Sequence, residues 1–236
     1  METILSELVS RLHKTYGERL ISVVLYGSAA VPDGKDRFSD FNILCVLSEI
    51  TPTELELAEP TFGWWRRKEN PSPLLLSEDE LQASSDCFPI EFHDIKERHQ
   101  VLHGKDLVAG LEVRDIHYRT EVEYELRSKL LRLRQKAGEV LSEKDLLLRL
   151  MTESVSTFCV LFRHSLRLAG EESKFDKREV IEAAQNRFGI DPGPFLALIN
   201  LREGRVKANQ LQPSQLFREY LKQIQAVVNA VDRMGR

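Results

Sequence analysis

The chain has 236 residues, of which 42% are hydrophobic and 30% are charged. This composition is typical of a globular protein with a packed core, and it excludes a disordered or fibrous chain. The most apolar stretch, residues 155–162, is much shorter than the about 20 residues that a membrane-spanning helix needs. Because the first residues lack the basic region and the small-residue cleavage site of a secretory signal peptide, we expect a cytoplasmic protein.

The net charge of -4 conceals an asymmetry between the two halves of the chain. Residues 1–115 carry 12 Lys/Arg and 21 Asp/Glu, a net charge of -9. Residues 116–236 carry 21 Lys/Arg and 16 Asp/Glu, a net charge of +5. An acidic half can hold divalent cations and a basic half can attract a nucleotide, although simple docking of the two halves explains the asymmetry equally well.

In chain order, the first half alternates between helical and strand-like segments. A helix with leucines at helical spacing ends at Gly17. The segments that follow are strand-like or helix-like, and together they predict an α/β mixed sheet. The predicted strands cover residues 21–26, 43–47, 74–76 and 88–95, and a predicted helix covers residues 53–68.

From about residue 115 the apolar residues recur every three or four positions, which predicts an all-α helical bundle. Ser142 and Asp176 are the expected N-caps of two of its helices. The sequence thus predicts two domains, residues 1–115 and residues 116–236. The predicted helices cover residues 122–137, 142–170, 176–189, 194–203 and 213–234.

The most informative segment begins where the first predicted strand ends. Gly27-Ser28 follows that strand, and free backbone N–H groups and a hydroxyl at a helix start suit a phosphate. Asp40 and Asn42 alternate at the start of the next strand, and so both side chains point to one face. Glu91 lies on a later predicted strand. Oxygen donors of this kind suit magnesium together with substrate phosphates.

This arrangement resembles the polymerase-beta-like nucleotidyltransferase superfamily. Its signature is a strand, Gly-Ser or Gly-Gly, a spacer, an Asp-x-Asp (or Glu) opening an apolar strand, and a third carboxylate on a later strand. Here eleven residues separate Ser28 from Asp40. The resemblance covers about residues 20–110, and the second half resembles the C-terminal bundle of kanamycin-nucleotidyltransferase-like proteins in general form.

The resemblance implies a role for each matching residue. Gly27 and Ser28 become contacts to the triphosphate of a nucleotide. Asp40, Asn42 and Glu91 become the expected ligands of Mg²⁺, and Asp40 and Glu91 are the expected catalytic acids, with Glu91 able to deprotonate the attacking hydroxyl.

Two parts of this match stay open. Asn42 stands where the second metal-bridging carboxylate is expected, and an amide offers one neutral oxygen instead of an anionic pair. Asp33 or Asp36 could fill the place of that carboxylate. Asp94 or Asp86 could be aligned as the third acid instead of Glu91, because the spacing between strands varies.

Two arginines of the predicted bundle are further candidates. Arg163 and Arg167 lie one helical turn apart and are the expected nucleotide contacts of the basic half, where the alternative is a solvated helix face. No Arg with a His four to six residues later, the ribonuclease motif of many helical partners of small nucleotidyltransferases, occurs in this half.

Two other motifs have a structural and a functional interpretation. Trp64-Trp65 can stack on a base or sugar, or pack on the core. His99 and His103 have the four-residue spacing of helical zinc ligands. Without a His-Glu-x-x-His motif, solvated histidines are the simpler interpretation. Cys45, Cys87 and Cys159 have neither metal-binding nor disulfide spacing, and we interpret them as small buried hydrophobic residues.

The resulting hypothesis is a nucleotidyltransferase that moves a nucleoside monophosphate from a nucleoside triphosphate to a hydroxyl of a small molecule or protein, with Mg²⁺ as cofactor. The alternative is a weakened or inactive relative, a nucleotide-binding or antitoxin-like protein-interaction module, and Asn42 is the residue that keeps it open. We expect neither a membrane nor a polynucleotide as partner, and a homodimer stays open.

Overall fold

A computed structural model describes residues 2–30, 41–113 and 115–234 of the chain. The chain divides into two compact units, Met1–His117 and Tyr118–Arg236, which we call the first and the second unit. None of the helices in the described ranges is long and apolar enough to cross a membrane.

The first unit contains a four-stranded mixed sheet in the order β3-β2-β1-β4. Strand β1 pairs antiparallel with β2 and with β4, and β2 pairs parallel with β3. The mixed sheet confirms the predicted fold class for this half. Its elements are α1 (Glu2–Tyr16), β1 (Leu20–Tyr26), β2 (Asn42–Leu47), α2 (Pro52–Arg66), β3 (Leu74–Ser77), α3 (Glu78–Ala83), α4 (Pro89–Glu97) and β4 (His99–Gly104).

Local sequence explains where the first helices start and stop. Gly17 follows α1 with a φ of 54°, a left-handed conformation that glycine adopts without steric cost. Thr51 precedes α2, and its hydroxyl accepts a hydrogen bond from the backbone of Thr53, while Glu54 accepts one from the backbone N–H of Thr51. This capping box satisfies two N–H groups that the helix itself leaves without partners.

Both faces of the sheet are covered, as the apolar run of β2 predicts. On one face, alternate residues of β1 and β2 such as Val23 and Cys45 pack with buried residues of α1 and α2. On the other face, Val24, Leu44 and Val46 pack with α3, α4 and the segment after β4. The sheet is therefore the middle layer of this unit.

The predicted strand over residues 88–95 is wrong, because this segment forms the helix α4. Pro89 occupies the first helical turn, where its fixed φ and missing N–H are tolerated. The edge strand is instead β4, whose sequence His-Gln-Val-Leu-His-Gly is too polar to stand out as a strand. Helix α3, which is six residues long, is also absent from the sequence prediction.

The second unit is helical throughout its described elements, as the apolar periodicity predicts. The N-cap of α6 is Glu143 and not Ser142, which was the expected one. Asp176 caps α7 as expected, because its carboxylate accepts hydrogen bonds from the backbone N–H groups of Arg178 and Glu179. Helix α7 ends at Gly189, which has a φ of 69°. The helices are α5 (Tyr118–Val140), α6 (Lys144–Leu168), α7 (Lys177–Phe188), α8 (Gly193–Arg202) and α9 (Pro213–Arg233).

An aromatic cluster lies at the centre of the second unit. Phe195 packs edge-to-face on Phe162 and on Tyr220, with ring centroids 5.2 and 5.0 Å apart. Such pairs add to the free energy gained by burying the rings.

Cys45 and Cys159 are buried, as predicted, whereas Cys87 is exposed, so the interpretation of all three as buried residues is wrong for Cys87.

Candidate functional site

The turn at Gly27 begins where β1 ends and leads into a short 3₁₀ helix, Gly27–Ala30. Gly27 has a φ of 80°, and its N–H donates a hydrogen bond of 2.9 Å to the carbonyl of Arg98. A side chain at this position would be strained by the left-handed backbone. A glycine is therefore needed at this position for the backbone conformation. This need is compatible with the predicted phosphate-binding turn, and it would be the same in a turn that binds no phosphate.

Asn42 opens β2 directly beside this turn. It pairs with Tyr26 in the register of β1 and β2. A methyl group on Gly27 would lie 3.2 Å from the amide nitrogen of Asn42, which is closer than ordinary van der Waals contact. By strand alternation Asn42 shares the sheet face of Leu44 and Val46. The amide therefore packs against the glycine turn.

Two of the three candidates for the third acid, Glu91 and Asp94, lie on helix α4 and not on a strand. The prediction that Glu91 lies on a strand is therefore wrong, and its position has another cause. Helix α4 packs through Phe92 and Ile95 on the sheet face that Asn42 shares. The two acids reach the end of the sheet from a helix that covers it.

Tyr26 directly precedes the Gly27 turn, and its pKa responds to both acids. Burial of its side chain raises the pKa of the Tyr26 hydroxyl, and the negative charges of Glu91 and then Asp94 raise it further. Both carboxyl groups are thus close enough to act on the phenol. Asp94 is half-buried and Glu91 is exposed.

Several candidate residues lie outside the described part of the chain. Asp40, the expected first metal ligand, falls in residues 31–40, as do Asp33 and Asp36. The backbone of Ser28 is described, and its side chain is not. Asp86 lies in the turn between α3 and α4.

The donor chemistry beside the turn fits a hard cation such as Mg²⁺, because it consists of carboxylate and amide oxygens. The donors that flank Tyr26 are Asn42, Glu91 and Asp94. Within the described residues, however, no group of three or more His, Cys, Asp or Glu side chains could hold a metal ion. The expected ligand Asp40 lies outside the described residues, so the predicted set of magnesium ligands stays a prediction.

The arginine candidates lie on α6, in the second unit. Arg163 is only 9% exposed, so the interpretation as a solvated helix face is wrong for this residue. Its guanidinium lies 4.5 Å from the centre of the Phe175 ring and donates a hydrogen bond of 3.3 Å to Nε2 of His164. The hydroxyl of Tyr118 lies 2.7 Å from Nδ1 of the same ring. Arg167, one turn later, is half-buried.

This buried cluster is the feature that sequence analysis missed. Because an arginine has no acceptor, Nε2 of His164 accepts the bond from Arg163, which leaves the ring proton on Nδ1 facing Tyr118. The adjacent Arg163-His164 pair in a helix with an otherwise apolar inner face was the available signal. Tyr26 was missed in the same way, although it directly precedes Gly27.

The remaining motifs have structural roles. Trp65 is fully buried and its indole N–H donates 2.9 Å to the carbonyl of Pro71, so it packs on the core. The guanidinium of Arg11 lies 4.4 Å from the centre of the Trp64 ring. His99 and His103 lie on a strand and not on a helix, and so the helical zinc spacing does not apply.

Comparison with known proteins identifies a fold and no closer relationship. No protein-family profile and no curated protein sequence matches the chain. Among solved structures, the chain is similar to spectinomycin adenyltransferase AAD(9) from Enterococcus faecialis, solved with ATP and spectinomycin. The TM-score is 0.63 and the sequence identity 14%, over 99% of both chains. The chain therefore has a nucleotidyltransferase-like fold, with a mixed sheet followed by a helical C-terminal half.

Proposed function

We propose that the protein transfers a nucleoside monophosphate from a nucleoside triphosphate to a hydroxyl of a small molecule. The observation that carries this proposal is the grouping of Asn42, Glu91 and Asp94 around Tyr26, beside the Gly27 turn and on the fold of an adenyltransferase. A small-molecule acceptor is favoured because the similar structure holds spectinomycin as well as ATP.

In this proposal the turn at Gly27 and Ser28 contacts the triphosphate through backbone N–H groups. Asp40, Asn42 and one acid of α4 would hold Mg²⁺, which supplies positive charge to the departing pyrophosphate when it is bound. Of the α4 acids, Glu91 is the exposed one and can approach an acceptor hydroxyl as a base. The predicted nucleotide contacts Arg163 and Arg167 are not part of this proposal, because Arg163 is buried against Phe175 and His164.

The first experiment is a panel of four nucleoside triphosphates, measured with and without Mg²⁺ by thermal shift and calorimetry. Binding to the folded state raises the melting temperature even for weak sites. We expect one nucleotide to bind in a Mg²⁺-dependent manner, and Asp40→Asn to weaken that binding. Asp79→Asn is the matched control, because Asp79 is exposed on α3. Equal loss in both variants, or no binding at all, would reject the proposal.

The second experiment measures transfer directly. The protein is incubated with the nucleotide and a panel of aminocyclitols and aminoglycosides, and mass spectrometry records a gain of one nucleoside monophosphate with release of pyrophosphate. We expect Asp40→Asn to remove any such product, because one metal ligand loses its charge.

A second candidate function, nucleotide binding without catalysis, is favoured by Asn42. Its amide packs against Gly27, where a second acid would be expected. Asn42→Asp separates the two candidates. For a weakened metal centre we expect about tenfold to a hundredfold tighter Mg²⁺-dependent binding, or about 1–3 kcal/mol. If the Asn42 amide is structural, we expect a lower melting temperature and no gain in affinity, because a carboxylate cannot replace the amide group that packs against the Gly27 turn.

A further inference from the structure

A groove of about 160 Å³ lies on the second unit, between α5 and α6. Its apolar part is formed by Leu133 of α5 and by Leu150 and Phe158 of α6. Leu133 and Phe158 are buried members of the core, so the groove has a rigid apolar floor. A concave apolar surface with a few polar groups around it is the usual form of a small-molecule site.

One rim of this groove is positively charged. Lys129, Arg132 and Lys136 line it, and their spacing of three and four residues places them on one face of α5. Lys129 is paired with Glu125 at 3.1 Å. Within the described residues, Arg132 and Lys136 form no ion pair, which leaves two cations beside the apolar floor.

The opposite rim, from α6, is polar and does not neutralise these cations. Glu153 lines the groove, but its carboxylate is held by Arg149 at 2.7 Å. Ser154 and Thr157 add two hydroxyl groups. The Ser154 hydroxyl donates to the carbonyl of Met151 at 2.9 Å and lies 3.1 Å from the Tyr220 hydroxyl, and these two contacts fix its orientation. The groove therefore combines a net positive rim, hydroxyls and an apolar floor.

We propose that this groove binds a small amphipathic anion, such as a carboxylate on a short apolar body. The anionic group is placed at Arg132 and Lys136, and the apolar body at Leu133, Leu150 and Phe158. A charge-assisted hydrogen bond favours the anion, and burial of apolar surface favours the body. A ligand with only the charge would not contact the apolar floor, and a ligand with only the apolar body would not contact the cationic rim.

The proposed site is separate from the arginine cluster on the same helix. Arg163 lies nine residues beyond Ser154. At 3.6 residues per turn, nine residues place the two side chains on roughly opposite sides of α6. Occupation of the groove is thus a function beyond the proposed nucleotide chemistry, and it can be tested in the absence of nucleotide.

The test is a binding measurement on the full chain with three probes: hexanoate, inorganic phosphate and hexanol. We expect saturable binding of hexanoate by calorimetry and NMR, and much weaker binding of phosphate, which lacks the apolar body, and of hexanol, which lacks the charge. Phosphate binding as tightly as hexanoate would overturn the proposal, as would the absence of saturable hexanoate binding.

Variants locate the site. Arg132→Gln/Lys136→Gln is expected to weaken hexanoate binding about tenfold or more, because both charge-assisted contacts are lost. The matched control is Arg218→Gln/Lys222→Gln, an exposed Arg-Lys pair of the same spacing on α9, which should bind hexanoate as the parent does. Thr157→Trp, at an exposed rim position, should fill the groove and abolish binding. Equal affinity of the two double variants would place hexanoate elsewhere and reject the proposal.

Discussion

The candidate residues of the two units lie in different surroundings. In the first unit the sheet is sandwiched between two apolar layers, and the polar candidates Asn42, Glu91 and Asp94 stand at the end of the strands, around Tyr26. In the second unit a charged residue, Arg163, is buried in the protein and is held by neighbouring side chains. A polar group at a strand end remains accessible to a ligand, whereas a buried one needs its partners to be stable at all.

This difference predicts that substitutions in the two places destabilise the protein by different mechanisms. In the apolar layers of the first unit, the loss of stability should follow the side-chain volume that is removed. In the Arg163 cluster of the second unit, the loss should come from a buried polar group that loses a hydrogen-bond partner. Hydrogen exchange distinguishes the two, because it reports the stability of each unit separately.

The largest effect is expected for Trp65→Ala. Trp65, near the end of α2, is fully buried in the apolar layer on one face of the sheet, and its indole N–H donates a hydrogen bond to the carbonyl of Pro71. Loss of a buried tryptophan typically costs about 3–5 kcal/mol. Trp64→Ala is the control, because Trp64 is half-buried, and its effect should be clearly smaller. A similar loss of protection from hydrogen exchange in both variants would contradict the assignment of Trp65 to the core.

The next effect is expected for His164→Leu in the second unit. This change removes one hydrogen-bond partner of Arg163 and one of Tyr118. We expect a loss of about 2–4 kcal/mol, confined to the second unit, since a buried charge loses a partner. Ser165→Ala is the control, because its hydroxyl donates only to the carbonyl of Leu161 in the same helix. If leucine at position 164 leaves the protection of α6 unchanged, the polar cluster does not stabilise the bundle.

A smaller effect, which depends on pH, is expected for Tyr16→Phe. The Tyr16 hydroxyl donates 3.1 Å to the carbonyl of Glu54. Burial, with a contribution from Cys45, raises the pKa of Tyr16 from 10.0 to about 12. Since the folded state favours the neutral phenol, its contribution to stability is complete below pH 10 and is lost as the pH rises through 12.

Tyr16→Phe should therefore cost about 1 kcal/mol near neutral pH, because one hydrogen bond is lost. It should also reduce the loss of stability between pH 10 and 12, which urea unfolding at several pH values measures. Part of that loss will remain, because burial also raises the pKa of Cys45 to about 12. If the free energy of unfolding falls equally steeply with pH in Tyr16→Phe and in the parent, the Tyr16 hydroxyl does not contribute to this pH dependence.

The same contrast explains which parts of the structure could be predicted from sequence. The long helices of the second unit and the strands β1 and β2 have apolar patterns that tertiary contacts do not override. In the segment from residue 88 to residue 104, tertiary packing overrides the apolar pattern. Phe88, Ile90 and Phe92 alternate as in a strand, yet Pro89 starts a helix whose buried residues face the sheet.

The candidate site was predictable where it depends on strand register and not where it depends on packing. Asn42 follows from alternation along β2. Glu91 was assigned for a wrong reason, since a covering helix and not a strand brings it to Tyr26. The cluster around Arg163 joins residues up to 46 positions apart, and only the packing of α5 on α6 reveals it.

The smallest predicted effect tests which acid of α4 lies nearer to the turn. Glu91 raises the pKa of Tyr26 more than Asp94 does, although burial is the larger cause. Glu91→Gln should therefore lower that pKa, and Asp94→Asn should lower it less, because each change removes one repulsive charge. NMR titration of ring-labelled tyrosine measures this, with Tyr26→Phe to assign the signal. If Asp94→Asn has the larger effect, Asp94 is the acid closer to Tyr26, and the role of base proposed for Glu91 passes to Asp94. If neither variant moves the Tyr26 titration, the acids of α4 do not face the turn, and the candidate site loses two of its three described oxygen donors.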